Sequence, residues 1–232
     1  MTKVTGTTAR DWGSHPPYIH PDYKSTPLRG PTRPLLPLKA TLSELTGPVY
    51  GHESVGKLDA DLTKNGARNG EPLGERIVVT GRVLDERGRP VPNTLVEVWQ
   101  ANAAGRYRHA DDPRDDVPVD GTFTGFGRSG TDGDGRFWFE TVKPGPVPGR
   151  GNAPQAPHIN VAVFARGMLT HAYTRIYFAD EEEANAIDPV LNTVDEARRG
   201  TLIGDARPVH GRTVYRFDIR LQGDGETVFF DV

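Results

Sequence analysis

Residues 79–107 read VTGRVLDERGRPVPNTLVEVWQANAAGRY. VTGRVL and NTLVEVWQ are rich in β-branched residues, whose stiff side chains fit a pleated surface. In the second run Leu95, Glu97 and Trp99 alternate with Val96 and Val98, the period of two that marks a strand with unlike faces. DERGRP gathers charge, Gly and Pro between the runs and reads as a turn. The stretch predicts two strands, and it ends on Tyr107 just after a second turn at ANAAG.

The same grammar extends outward. IVVTGRVL begins at Ile77, GTDGDGR is a tight turn before RFWFETV, and HINVAVFA and HAYTRIYF flank a hairpin turn around Arg166-Gly167. TVYRFDIRLQ, a Gly-Asp-Gly turn and ETVFFDV close the chain. ADEEEANAIDPVL opens with acids, which suit a helix N-terminus, and Pro189 stops it. Val194 to Leu202 predicts another short helix. The expected fold class is all-β: an antiparallel β-sandwich over residues 76–232, with short helices near the C-terminal third. Residues 1–75 are expected to form an irregular N-terminal arm, because the prolines of YIHPDYKSTPLRGPTRPLLPLKA fix φ and remove N–H donors. Leu35, Leu36 and Leu38 give that arm apolar surface to lay on its own domain or on a partner.

Composition narrows the function. The 232 residues carry a net charge of −3 with both signs interspersed, so no basic stripe points to nucleic acid. Cys is 0, which removes disulfides, thiolate metal sites and a Cys nucleophile. No stretch approaches the ~20 apolar residues of a membrane span, and none reads as a signal peptide. The expected location is cytoplasmic.

The opening of the 79–107 stretch, GxVxDxxGxPVPxxxVxV, also occurs in transthyretin-like and carboxypeptidase-regulatory sandwiches, which are binding or structural modules. Its continuation EVWQANAAGRYRH resembles the signature of intradiol ring-cleavage dioxygenases of the protocatechuate 3,4-dioxygenase type. TVKPGPVP, APHINV and YRFDIRLQGDGETVFFDV resemble the same family. The resemblance implies a non-haem Fe(III) cofactor held by two tyrosinates and two histidines. It also implies cleavage of protocatechuate, a catechol, with O2 to 3-carboxy-cis,cis-muconate. Such a ligand set is chemically coherent: a ferric ion stabilises the phenolate of a tyrosine whose ordinary pKa is ~10, and anionic oxygens with imidazoles suit a hard cation.

Carried over residue by residue, the resemblance makes Tyr107 and His158 metal ligands. The family's second tyrosine lies in a KPGPYP segment, which here reads KPGPVP with Val147. Its second histidine lies in an HIH segment, which here reads His158-Ile159-Asn160. Fe(III) is therefore implied for the family, while this chain supplies half of the donors. The family is built from homologous α and β subunits, of which β carries the iron and α completes the pocket. Residues 15–109 resemble β and residues 120–232 resemble α, with the seam in ADDPRDDVPV. Tyr23, in HPDYKST, matches a β residue that hydrogen-bonds the substrate carboxylate. Arg166, in VFARG, matches an α residue that reaches the same carboxylate across the interface, a contact for which a guanidinium is well suited. The expected partners are a catechol substrate, O2 and homologous subunits. Two readings stand: a subunit of the ring-cleaving enzyme, or a non-catalytic sandwich that completes a partner's site.

Overall fold

Alternation decides the first strand. β1 (Arg76–Leu84) buries Ile77, Val79, Gly81 and Val83 and leaves the residues between them partly exposed. The computed structural model describes residues 22, 24–25, 27–29, 54–66, 70–149, 151, 153–168 and 170–231. The chain divides into Met1–Gly47 and Pro48–Val232. In the first unit Pro27–Arg29 form one 3-10 turn. Tyr23 lies outside the described residues, as does most of the segment expected to be an arm.

Strands outweigh helices among the described residues of the second unit. β2 (Leu95–Gln100), β3 (Phe126–Gly130) and β4 (Arg136–Val142) precede a small hairpin, β5 (Val147–Pro148) with β6 (Pro154–Gln155). β7 (His158–Phe164) and β8 (Ala172–Phe178) form the next hairpin. Two short helices, α1 (Glu182–Ile187) and α2 (Glu196–Arg199), lead to β9 (Ile203–Val209), β10 (Arg212–Arg216) and β11 (Ile219–Arg220). Among the described residues nine strands share one sheet in the order β11-β1-β10-β9-β8-β7-β2-β3, with β4 on β1.

Among these described strands three pairings are parallel: β1 with β10, β1 with β11, and β8 with β9. Period-two patterning is blind to strand direction. β8 and β9 can lie parallel because residues 179–202 supply the long crossover that a parallel pair needs. α1 starts on Glu182 and Glu183 and ends at Asp188, whose extended backbone is what a following proline favours. The segment from Val194 splits: Asp195 caps α2 through the Ala197 N–H, and Gly200–Leu202 turn as 3-10. β3 and β9 carry too much Gly, Asp and Pro to read as strands. ETVFFDV, expected as one, joins through a single bridge, Tyr173 to Phe230. Among the described residues no helix is long and apolar enough to cross a membrane.

The main core joins Ile77, Val79 and Val83 of β1 to Phe137 and Phe139 of β4, Ile159, Val161 and Val163 of β7, and Tyr215 and Phe217. A second cluster gathers Ala156, Tyr177, Leu191, Val194, Leu202 and Val228. Gly81 is where two segments nearly touch: a Cβ there would lie 1.7 Å from the Phe217 carbonyl oxygen. The Phe217 N–H bonds to the Thr80 carbonyl at 2.8 Å, so that backbone cannot retreat. Gly81→Ala is expected to cost about 1–3 kcal/mol as overpacking, read as a lower midpoint in urea. An unchanged midpoint would mean that the two segments can part enough to admit a methyl group.

Candidate active site

Strand register fixes which side chains meet. Trp99 of β2 lies opposite Asn160 of β7, Asn160 lies opposite Arg175 of β8, and His158 lies opposite Tyr177. Directly opposed residues share a face. Ile159, Val161 and Val163 point into the main core, so these five side chains lie on the other face of the sheet.

Tyr107 reaches that face from the loop after β2. Asn102 shapes the loop: its Oδ1 accepts the N–H groups of Ala104 and Arg106, and its carbonyl accepts those of Gly105 and Gly145. Gly105 has a φ of 82°, and a Cβ there would lie 2.0 Å from the Pro146 carbonyl oxygen. Only glycine therefore lets the Tyr107 loop lie against the segment that carries Val147. The Tyr107 N–H donates to Asp112, and Arg114 binds the same carboxylate at 2.7 Å and the Gly105 carbonyl at 2.7 Å. The Arg114 hydrogen bond holds the Asp112 carboxyl down at about 2. Trp99 stacks against the Tyr107 ring at 4.7 Å and meets His109 at 5.8 Å. An open pocket of about 320 Å³ beside this loop is lined by Arg106, Tyr107, Arg108, His109, Asp112 and Val119.

Tyr107 and Asn160 meet: the Asn160 amide donates to the Tyr107 hydroxyl at 3.1 Å. Burial raises the Tyr107 pKa, against the Asn160 hydrogen bond and the Arg175 charge, which lower it. His158 is 3% exposed and lies 2.7 Å through Nδ1 from the Ala156 carbonyl. A carbonyl only accepts, so Nδ1 carries the proton. Burial first, then Arg175, lowers the His158 pKa to about 4. Val147 is buried in β5 opposite Gln155, and Gln155 Oε1 accepts from Arg175 Nη1 at 2.7 Å. Tyr177 is no substitute ligand: its ring lies 5.8 Å from that of His158 and its hydroxyl donates to Asp188 at 3.1 Å. His171 packs at the far end, between Phe164 and Tyr173.

These residues do not fit a ferric ion. Of the positions that the resemblance assigns to donors, Val147 is a buried valine and Asn160 presents an amide N–H to Tyr107; burial pushes that tyrosine toward its neutral form, and the Arg175 guanidinium shares the face. Among the described residues no group of three or more His, Asp or Glu gathers to hold a metal.

Arg166 lies elsewhere. The Met168 N–H closes a turn on the Ala165 carbonyl at 3.1 Å, with Gly167 at φ 91° in the position a type II turn requires. Arg166 is exposed, and its guanidinium has no partner among the described residues. Sequence reasoning missed Arg175, Gln155, Asn102 and Asp188. Arg175 alone left a signal, since a hairpin centred near Arg166-Gly167 brings it beside Asn160.

The family model described as Dioxygenase matches residues 45–223, and the model for the protocatechuate 3,4-dioxygenase beta subunit N terminus matches residues 8–41. The protocatechuate 3,4-dioxygenase beta chain of Burkholderia cepacia is 51% identical over 98% of this chain and 98% of its own length. The alpha chain of that enzyme from Pseudomonas putida is 44% identical over 85% of this chain and 99% of its own length. Among solved structures, 3-chlorocatechol 1,2-dioxygenase from Rhodococcus opacus 1CP matches with a TM-score of 0.53 at 20% identity, covering 75% of this chain and 70% of that one.

Proposed function

The chain belongs to the intradiol dioxygenase family, among the relatives of the protocatechuate 3,4-dioxygenase subunits, and from that premise we propose that it works as one subunit of a protocatechuate-cleaving assembly. In that assembly protocatechuate and O2 yield 3-carboxy-cis,cis-muconate at a homologous partner's ferric centre. This chain completes the partner's pocket and performs no chemistry at its own. The observation that carries the reading is the Asn160–Tyr107 hydrogen bond beside Arg175, where a ligand set would otherwise stand. The domain over residues 76–232 is read as a sandwich, because β1 with β4 and β2 with β7 enclose the shared core. Residues 1–75 are read as an arm, with Tyr23 a hydrogen-bond donor to the substrate carboxylate. The other reading, chemistry at this chain's own iron, lacks a donor set.

Arg166 supports the role in trans. It follows His158 by eight residues, most of them strand, and at ~3.3 Å per residue that carries it roughly 26 Å away. It is exposed on its turn and has no partner among the described residues, and we read it as meeting a carboxylate on another subunit. The chain purified alone is expected to be colourless and inactive, and to give activity when combined with an iron-bearing partner. Stoichiometric iron with ring opening by the chain alone would overturn this. In the active assembly, Arg166→Ala is expected to weaken protocatechuate binding by about 1.5–3 kcal/mol, the loss of a charge-assisted hydrogen bond. Catechol, which has no carboxylate, should lose far less. Equal losses would make Arg166 an interface residue.

A further inference from the structure

The missing donors do not account for Arg175. Its guanidinium stands on the face shared by His158, Asn160 and Tyr177. Nη1 is anchored by Gln155 Oε1 at 2.7 Å and lies 3.5 Å from the Tyr177 hydroxyl. Gln155 is in turn the cross-strand partner of Val147, and Asn160 is the cross-strand partner of Arg175. The two positions that lack donors are thus bridged by one Gln–Arg pair. Nη2 and Nε of Arg175 make no hydrogen bond among the described residues. Tyr107 and His158 both feel the Arg175 charge.

We propose that Arg175 holds the place of the metal cation in this chain: a fixed organic charge, positioned by Gln155, keeps a metal from the space between Tyr107 and His158 even when donors are placed at Val147 and Asn160. An arginine cannot shed its proton in a protein. A cation entering between Tyr107 and His158 would meet a permanent like charge across a partly desolvated site, where charges are weakly screened. Restored donors alone would leave that repulsion in place. The proposal deepens the reading that this chain carries no working metal site, and it is separable from the chain's role in trans.

The test compares three variants loaded with ferric iron and assayed by metal analysis and visible absorption, with circular dichroism to confirm folding. V147Y/N160H restores both donors and keeps Arg175, and it is expected to stay colourless. V147Y/N160H/R175Q should retain at least tenfold more iron and show tyrosinate colour. V147Y/N160H/R175K, which keeps a charge but loses the planar fork, should behave like the double variant. Iron in V147Y/N160H equal to that in the Gln variant would overturn the proposal, and so would a folded Gln variant that holds none. If the triple variant does not fold, N160H/R175Q should bind Zn(II) at least tenfold more tightly than N160H, and equal binding would overturn the proposal. None of these outcomes touches the role in trans, which is read separately as ring opening by the unmodified chain with its partner.

Discussion

Asp188→Ala is expected to remove about 3–6 kcal/mol of stability, a large share of the ~5–15 kcal/mol that holds a domain folded. Asp188 is fully buried. Its Oδ1 accepts the Val190 N–H at 2.9 Å, the Leu191 N–H at 2.7 Å and the Tyr177 hydroxyl at 3.1 Å. Its Oδ2 accepts the Ala156 N–H at 2.7 Å. Alanine would strand four donors in a region packed by Leu191, Val194, Leu202 and Val228. Each stranded donor costs ~1–3 kcal/mol, and water entering the space left behind repairs part of the total. Asp188→Asn keeps the shape but turns an amide N–H toward one of the donors, so it should fall between wild type and alanine. Urea denaturation gives the comparison. A loss under about 1 kcal/mol for alanine would show that this carboxylate is not what ties the β8–β9 crossover to the strand before His158.

That network shows why some features were legible in sequence and others were not. β1, β2, β4, β7 and β8 were visible because alternation writes one buried face directly into the residue order. The helix start at the acids and its end before Pro189 were visible because caps and prolines are local signals. The parallel pairings, the exposed β9 strand and the meeting of Asp188 with Ala156, 32 residues apart, are long-range. No local pattern encodes them. At the site, Tyr107, Val147, His158 and Asn160 were found through family motifs, and the structure brings Tyr107 to Asn160 and Val147 to Gln155. Arg175 escapes such motifs because a motif records the residues chemistry needs, whereas Arg175 draws its meaning from the cross-strand neighbour it faces. Tyr23 lies outside the described residues.

His158 is expected to make the protein lose about 3 kcal/mol of stability as pH falls from about 6.5 to about 4. An imidazole in the unfolded chain titrates near ~6.5. In the folded chain burial and the neighbouring Arg175 hold it at about 4, outweighing the Ala156 carbonyl and Asp188, which favour the charged ring. Between those two values the unfolded chain binds a proton that the folded chain refuses. Stability therefore rises with pH through the window and is fully present above about 6.5. At ~1.4 kcal/mol per pH unit the interval amounts to about 3 kcal/mol. Asp112, held at about 2 by Arg114, acts lower: its contribution is present above the ordinary carboxylate value of ~3.9 and lost below it. The two effects thus separate along the pH axis. Urea midpoints at pH 7.5, 5.5 and 4.5 should fall steadily for the wild-type chain. In His158→Gln, which keeps a side-chain donor for the Ala156 carbonyl but cannot titrate, the fall over the same window should be smaller by about 3 kcal/mol. Parallel pH profiles for the two proteins would mean that the buried ring takes its proton without opening the fold, and that Arg175 does not bear on it as the geometry implies.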